Sequence, residues 1–309
     1  MKRFNAMLAE DGVLDDNGMP VSILYPSYAS VKLDGVRGLM TGDGLVGRSL
    51  RPFNNAPFCR AVESMRGASL DFEITVGAID DGATCRRTTS FLNSSAKTYS
   101  LKDNVCFWVF DSFANPDDTL ENRLVTASRV VHDLQQEAAN AHVHLRMIKQ
   151  YAVSSSSDAT AHIDAHAADN AEGTILRYAL GKYKFGRATA KEATYLRFKR
   201  FVEEDAVVIS VVEGNQNNNE ATTDLRGRTK RSTHKEHMVP NGRVGSLVCK
   251  DVKTGDVITV SAGKMTAVER KEFFTDQSLI VGKRIKYKHM PYGAKDSPRM
   301  PVYLYIIPQ

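Results

Sequence analysis

A lysine attacks only as the neutral amine, and its ordinary pKa of ~10.4 keeps it charged in neutral water. Burial or neighbouring cations must favour the neutral form. Lys32 ends the strand-like stretch YASVK, and a tight Asp34-Gly35 turn and then Arg37 follow it. Glu73 lies within the strand-like SLDFEITVG, and Glu172 opens the strand-like EGTILRY. Carboxylates completed by water suit Mg²⁺, which keeps much of its hydration. Arg197 and Lys199 alternate in YLRFK. Alternation points both side chains from one strand face, as gripping a phosphate from one side requires. A lysine, further cations and carboxylates are residue types that could serve phosphoryl chemistry. Each has a plainer reading alone: a surface hairpin with an exposed lysine, surface carboxylates on strands, a solvated basic strand.

Positioning these groups falls to a succession of strands. The first thirty residues are loop-like, with DG, DDNG and YPS turn signals. YASVKLDG and GLVGR, the second after the turn TGDG, read as a hairpin. SLDFEITVG alternates as a strand, and NVCFWVFDSF is a buried one. NRLVTASRVVHDLQQEAANA has helical spacing, HVHLRMIKQYAV reads as a strand, and SSSSDATAHIDAHAADNA opens with helix-capping serines. EGTILRY and TYLRFKRF are two more strands.

The texture changes near residue 202. EEDAVVISVVEG is a strand, and NQNNNEATTDLRGRTKRSTHKEHMVPNGR then lacks apolar periodicity and reads as a mobile loop. GSLVCKD, DVITVSAG, GKRIKYKHM and VYLYIIP follow as short strands. They predict a barrel of about five strands, of the oligonucleotide-binding kind. The expectation is an α+β domain over 1–201 and a smaller β domain over 202–309.

With 309 residues, 42% hydrophobic and 25% charged, the composition is that of an ordinary globular chain. Cys59, Cys85, Cys106 and Cys249 are scattered without a C-x-x-C pair. That speaks against a zinc knuckle or a disulfide framework and for a reducing cytoplasm. No apolar run suits a signal peptide or a membrane span, so no membrane partner is expected. A net charge of +5 permits a nucleic-acid partner without demanding one.

KLDGVR resembles the K-x-D-G-x-R signature of the covalent nucleotidyltransferases: DNA ligases, RNA ligases and mRNA capping enzymes. LVGRSLRPF, DFE, FWVFDSF, AEG and YLRFK resemble the family's further elements, in the family's order. The resemblance spans about residues 28–305 and is to the short viral (bacteriophage) type of ATP-dependent DNA ligase. It implies an adenylation domain of antiparallel sheets and flanking helices, followed by a small all-β OB-fold domain.

The resemblance also implies roles. Lys32 carries AMP, released from ATP with pyrophosphate; AMP passes to a 5′-phosphate, and a 3′-hydroxyl then displaces it. Arg197 and Lys199 assist. Ser30, Val31, Arg37, Arg48, Glu73, Phe110, Glu172, Lys199 and Arg299 bind ATP. Phe110 stacks on adenine, with Phe107 and Trp108 as rivals, and Arg299 in SPRMP orients the pyrophosphate. Glu73 and Glu172 hold Mg²⁺, for which Mn²⁺ substitutes. Arg48 and Arg51 touch DNA. Apart from the resemblance, the basic stretch LRGRTKRSTHKE (225–236) reads either as an extra DNA contact through Arg226, Arg228, Lys230 and Arg231 or as a solvated charged loop. The implied partner is nicked duplex DNA and the implied state a monomer, in the cytoplasm (the host's, if viral).

The chain departs from the pattern in places. Many relatives place Glu where this chain has Ser30, whose hydroxyl also accepts hydrogen bonds. Arg197 replaces the common lysine, keeping charge but changing fork geometry. Phe72 replaces glycine, a change in strand packing. No long N-terminal DNA-encircling domain, four-cysteine zinc site or added C-terminal module of the NAD-dependent type is seen, so ATP is the expected donor. An RNA ligase is the nearest rival, a GMP-transferring capping enzyme a further one. A catalytically silent nucleic-acid-binding module is the alternative from another class.

Overall fold

The computed structural model describes residues 4–79, 82–95, 104–169, 171–199, 201–290 and 297–308. The chain divides into two compact units, Met1–Lys199 and Arg200–Gln309. In chain order the first contains β1 (Glu10–Asp11), β2 (Val13–Leu14), β3 (Pro20–Val21), β4 (Ser27–Lys32), β5 (Val36–Thr41) and β6 (Gly44–Gly47). Next come α1 (Ala56–Ala61), β7 (Leu70–Val76), α2 (Thr84–Leu92), β8 (Val105–Ser112), α3 (Leu120–Asp133) and α4 (Gln135–Asn140). The unit ends with β9 (Val143–Met147), β10 (Tyr151–Val153), α5 (Ser156–Ala168), β11 (Gly173–Tyr178) and β12 (Tyr195–Lys199).

Two five-stranded sheets result, ordered β1-β12-β11-β4-β10 and β6-β5-β7-β8-β9. Most neighbours are antiparallel, as expected, but β1 pairs with β12 and β8 with β9 in parallel. The expected hairpin needs correction. GLVG pairs with VRGLMT of β5, while the strand carrying Lys32 lies in the other sheet. HVHLRMIKQYAV likewise serves both sheets: β9 closes the edge of one and β10 that of the other.

Helices α1–α4 cover one face of the second sheet. Phe58, Leu92, Ala127, Val131 and Ala138 pack with Phe72, Ile74, Phe107 and Val109 in one core. Phe72 stacks on Phe107 with ring centroids 4.4 Å apart. Its bulk is accommodated by Gly38 on the neighbouring strand, where a Cβ would lie 2.5 Å from the Phe72 ring. The first sheet packs on α5 through Ala29, Val153, Ala159, Leu176 and Leu196. α5 starts at Ser155, whose hydroxyl accepts from the Asp158 amide at 3.1 Å. The opposite faces of the two sheets look towards each other, because β11 reaches Phe110 and Asp111 of β8 through Arg177.

The second unit contains β13 (Val202–Asn217), β14 (Ala221–Thr223), β15 (Thr229–Arg231), β16 (Met238–Asp251), β17 (Val257–Ser261), α6 (Ala267–Thr275), β18 (Arg284–Met290) and β19 (Arg299–Ile306). Five of these strands close a barrel in the order β13-β16-β17-β19-β18. Val208, Val244, Leu247, Val260, Ile285 and Tyr287 fill it, with Phe273 of α6 joining the core. The capping box of Thr266 and Glu269 starts α6.

The asparagine-rich stretch differs from the expected mobile loop. β13 runs on to Asn217, and β14 and β15 form a hairpin beyond it. Asn217 Nδ2 donates to the Ser232 carbonyl at 2.8 Å, and Asn219 Nδ2 to the His234 carbonyl at 2.9 Å. Amide side chains replace the apolar contacts the stretch lacks. Among the described residues no disulfide forms, and no helix is long and apolar enough to cross a membrane.

Candidate active site

The chain passes from the first sheet to the second at Leu33-Asp34-Gly35, between Lys32 at the end of β4 and Arg37 in β5. Gly35 permits the passage. A Cβ there would lie 2.3 Å from the Ile74 carbonyl oxygen and 2.9 Å from Glu73 Cγ. The Asp-Gly pair thus makes a turn and also brings β7 against the nucleophile's strand.

Register aligns the basic residues. Lys32 of β4 and Lys199 of β12 both lie opposite Gly173, the first residue of β11. The two lysines therefore flank the strand that Glu172 leads into. Lys32 Nζ donates to Glu172 Oε2, and Lys199 Nζ lies 3.4 Å from Glu172 Oε1. The Glu172 side chain is 7% exposed, against 23% and 21% for the lysines, so one buried carboxylate is compensated by two cations. Only glycine fits at 173: a Cβ would meet the Phe198 carbonyl oxygen at 2.0 Å.

The second sheet supplies the facing groups. Arg37 lies opposite Glu73, and Glu73 opposite Trp108. Burial pushes the Glu73 carboxyl up to about 7; Lys32 and Arg37 pull against that, and Glu172 adds to it. Among the described residues the Glu73 carboxylate accepts no hydrogen bond, though Lys32 acts on it electrostatically. Arg37 donates from Nε to Asp71 Oδ1 at 2.8 Å and from Nη2 to Oδ2 at 2.5 Å, and Tyr183 Oη donates to Oδ2 at 2.6 Å. Burial raises the Asp71 carboxyl although Arg37 lowers it.

Phe110 sits at an irregularity in β8, where Asp71 pairs with Asp111 but Phe72 with Val109. Its half-buried ring has the Arg37 guanidinium 5.2 Å from its centroid, and its carbonyl accepts from Arg177 Nη1 at 2.6 Å. Phe107, the first rival, is buried in the helix-covered core. Trp108 shares the face of Phe110.

The remaining sequence candidates are spread more widely. Ser30 is buried and shares the face of Lys32, and Val31 lies opposite Thr174. Arg197 shares the face of Lys199 but is gripped by Asp11, with Nε at 2.6 Å from Oδ1 and Nη2 at 3.1 Å from Oδ2. That hydrogen bond is the main influence holding the Asp11 carboxyl below its usual range. Arg48 and Arg51 are exposed on the turn after β6, closed by the Gly47 amide donating to the Arg51 carbonyl at 2.9 Å.

The other candidates belong to the second unit. Arg226 pairs with Asp224 at 2.8 Å, and Arg231 donates to the Asn219 carbonyl. Arg228 and Lys230 are exposed on the same hairpin. Arg299 opens β19, and residues 291–296 of the segment leading to it lie outside the described residues.

Sequence reasoning missed the scaffold of the site. Asp111, which reads as a turn-former, is 1% exposed in β8 and accepts from Arg177 and from Arg123 Nε, the latter at 2.9 Å. A signal existed: Arg123 falls on the buried stripe of α3 with Leu120, Ala127 and Val131. A charge on an apolar stripe announces a buried partner.

No group of three or more His, Cys, Asp or Glu side chains suited to a metal occurs among the described residues. The site offers two carboxylates beside two lysines. That arrangement suits a hydrated divalent ion whose remaining ligands come from phosphate.

No protein-family model and no curated protein matches the sequence. Solved structures do match it. The chain is similar to the Chlorella virus DNA ligase-adenylate, at 22% identity and a TM-score of 0.55, over 99% of each chain. It is also similar to a Lig E DNA ligase, at 18% identity and a TM-score of 0.69, over 98% of this chain and 99% of that one. The chain therefore has the α+β fold of these DNA ligases, two sheets with flanking helices and a five-stranded barrel.

Proposed function

We propose that this protein is an ATP-dependent DNA ligase that seals nicks through an adenylate carried on Lys32. The observation that carries the reading is the row Lys32–Glu172–Lys199 facing Glu73. Lys32, Glu172 and Lys199 meet at one end of the first sheet, and Glu73 of the second sheet lies within electrostatic reach of Lys32 and Glu172. A merely structural ion pair has no use for the additional carboxylate, half-buried and with its pKa raised.

Lys32 Nζ, free of Glu172 and of its proton, attacks the α-phosphorus of ATP. A P–N bond forms, the bond from phosphorus to the bridging oxygen breaks, and pyrophosphate leaves. A 5′-phosphate oxygen of the nick then takes the adenylyl group and Lys32 is restored. Attack by the 3′-hydroxyl on that phosphate expels AMP and closes the strand. Lys199 stabilises charge on the phosphoryl oxygens, and Phe110, its carbonyl held by Arg177, provides a face for adenine. Glu73 and Glu172 would hold Mg²⁺, which neutralises phosphate charge when bound.

Incubation with α-labelled ATP or GTP, followed by nicked duplexes with DNA or RNA strands, tests this reading. Label from ATP and sealing of nicked DNA are expected. RNA joining alone moves the protein to the RNA ligases, and label from GTP alone to capping. No label from either nucleotide, in folded protein free of pre-bound AMP, leaves a binding module.

A further inference from the structure

The wall built by the second sheet carries one row of side chains across four strands. Arg37 lies opposite Glu73, Glu73 opposite Trp108, and Trp108 opposite Arg146 of β9. Arg37 is held by Asp71, and Glu73 has its place in the proposed reaction. Trp108 and Arg146 have none so far.

Both are arranged for a ligand. The Trp108 indole Nε1–H donates to Thr75 Oγ1 at 2.9 Å, and Thr75 is buried, so the ring is fixed in place. The Arg146 guanidinium lies 5.9 Å from the ring centroid. Arg146 is exposed on an edge strand, and its side chain makes no hydrogen bond or ion pair among the described residues. An arginine stacked on an indole is pre-organised, permanently charged and keeps a planar fork of N–H donors. Two strand spacings, about 10 Å, separate it from Glu73 along the row. A phosphate reacting near Glu73 thus leaves a neighbouring phosphate of the same ligand within reach of the fork.

We infer that Trp108 and Arg146 form a phosphate-binding position beside the Lys32 site. The phosphate belongs either to the tail of the nucleoside triphosphate or to a strand of the nicked nucleic acid. The inference rests on the nucleotidyl-transfer reading of Lys32.

Trp108 is the sole tryptophan of the chain, so its emission reports on this position directly. The full chain and its Arg146→Ala and Arg146→Lys variants are titrated with ATP, with inorganic tripolyphosphate and with a nicked duplex, and wild-type self-labelling is run alongside. A saturable change with ATP and tripolyphosphate identifies the triphosphate tail, and one with the duplex alone identifies a strand. In either case Arg146→Ala weakens that ligand on the order of tenfold, and Arg146→Lys recovers part of the loss. Wild-type affinity of Arg146→Ala for all three probes overturns the position; if the wild type still labels, the reading of Lys32 stands without it. No binding of any probe and no label overturn both.

Discussion

Glu73 is the residue whose chemistry responds most directly to its surroundings. Burial raises its carboxyl from 4.5 to about 7, so the folded chain holds a proton there that the unfolded chain releases. Its contribution to stability therefore falls as pH rises from about 4.5 to about 7. Glu73→Gln is expected to flatten that dependence in denaturant titrations at several pH values. The same proton competes with a metal ion, so apparent Mg²⁺ affinity should rise as pH passes through about 7 in the wild type and lose that rise in Glu73→Gln. An unchanged pH dependence in the variant contradicts the assignment.

At the scale of elements, the site depends on strands held in register. Gly173→Ala forces β11 from β12, because the new Cβ meets the Phe198 carbonyl. The expected cost is about 1–3 kcal/mol of stability. Self-labelling should fall roughly a hundredfold, because Glu172 and Lys199 are displaced from Lys32. Thermal unfolding and label incorporation measure the two effects, and wild-type labelling in the variant shows that the row does not matter. Arg177 ties β11 to β8, and Arg177→Met leaves Asp111 with Arg123 as its charged partner. Loss of about 3 kcal/mol is expected by denaturant titration, as for one broken half of a buried pair.

These elements also mark what the chain displays in one dimension. Strand alternation, the Asp34-Gly35 turn and the order of short motifs are local, and they lead to Lys32, Glu73, Glu172 and Lys199, which the structure brings together. The pairing of Arg177 with Asp111, and of Asp11 with Arg197, depends on strands distant in sequence meeting in a sheet. No local pattern encodes that register. The hairpin reading of GLVGR fails for the same reason. A hairpin signal shows that two strands turn back, but VRGLMT continues the lysine's motif and is hidden inside it. The asparagine-rich stretch escapes because its order comes from side-chain amides reaching main-chain carbonyls, which composition reads as loop.

At the scale of the molecule, the hairpin of the second unit is the candidate for sequence-independent contact with phosphates. Arg226 and Arg231 are engaged within it, whereas Arg228 and Lys230 are exposed. The double change Arg228→Glu, Lys230→Glu should weaken binding to nicked duplex similarly for all sequences. It should also reduce the slope of log affinity against log salt by about one for each phosphate that is no longer neutralised. An unaltered slope removes the hairpin from the interface.

The central claim is that Lys32 carries the nucleotide. Peptide mapping by mass spectrometry after incubation with ATP and Mg²⁺ addresses it directly, with Lys32→Ala as control. One adenylyl group is expected on the peptide containing Lys32 and none on the folded variant. An adduct on another residue, or an adenylated Lys32→Ala protein, would contradict it.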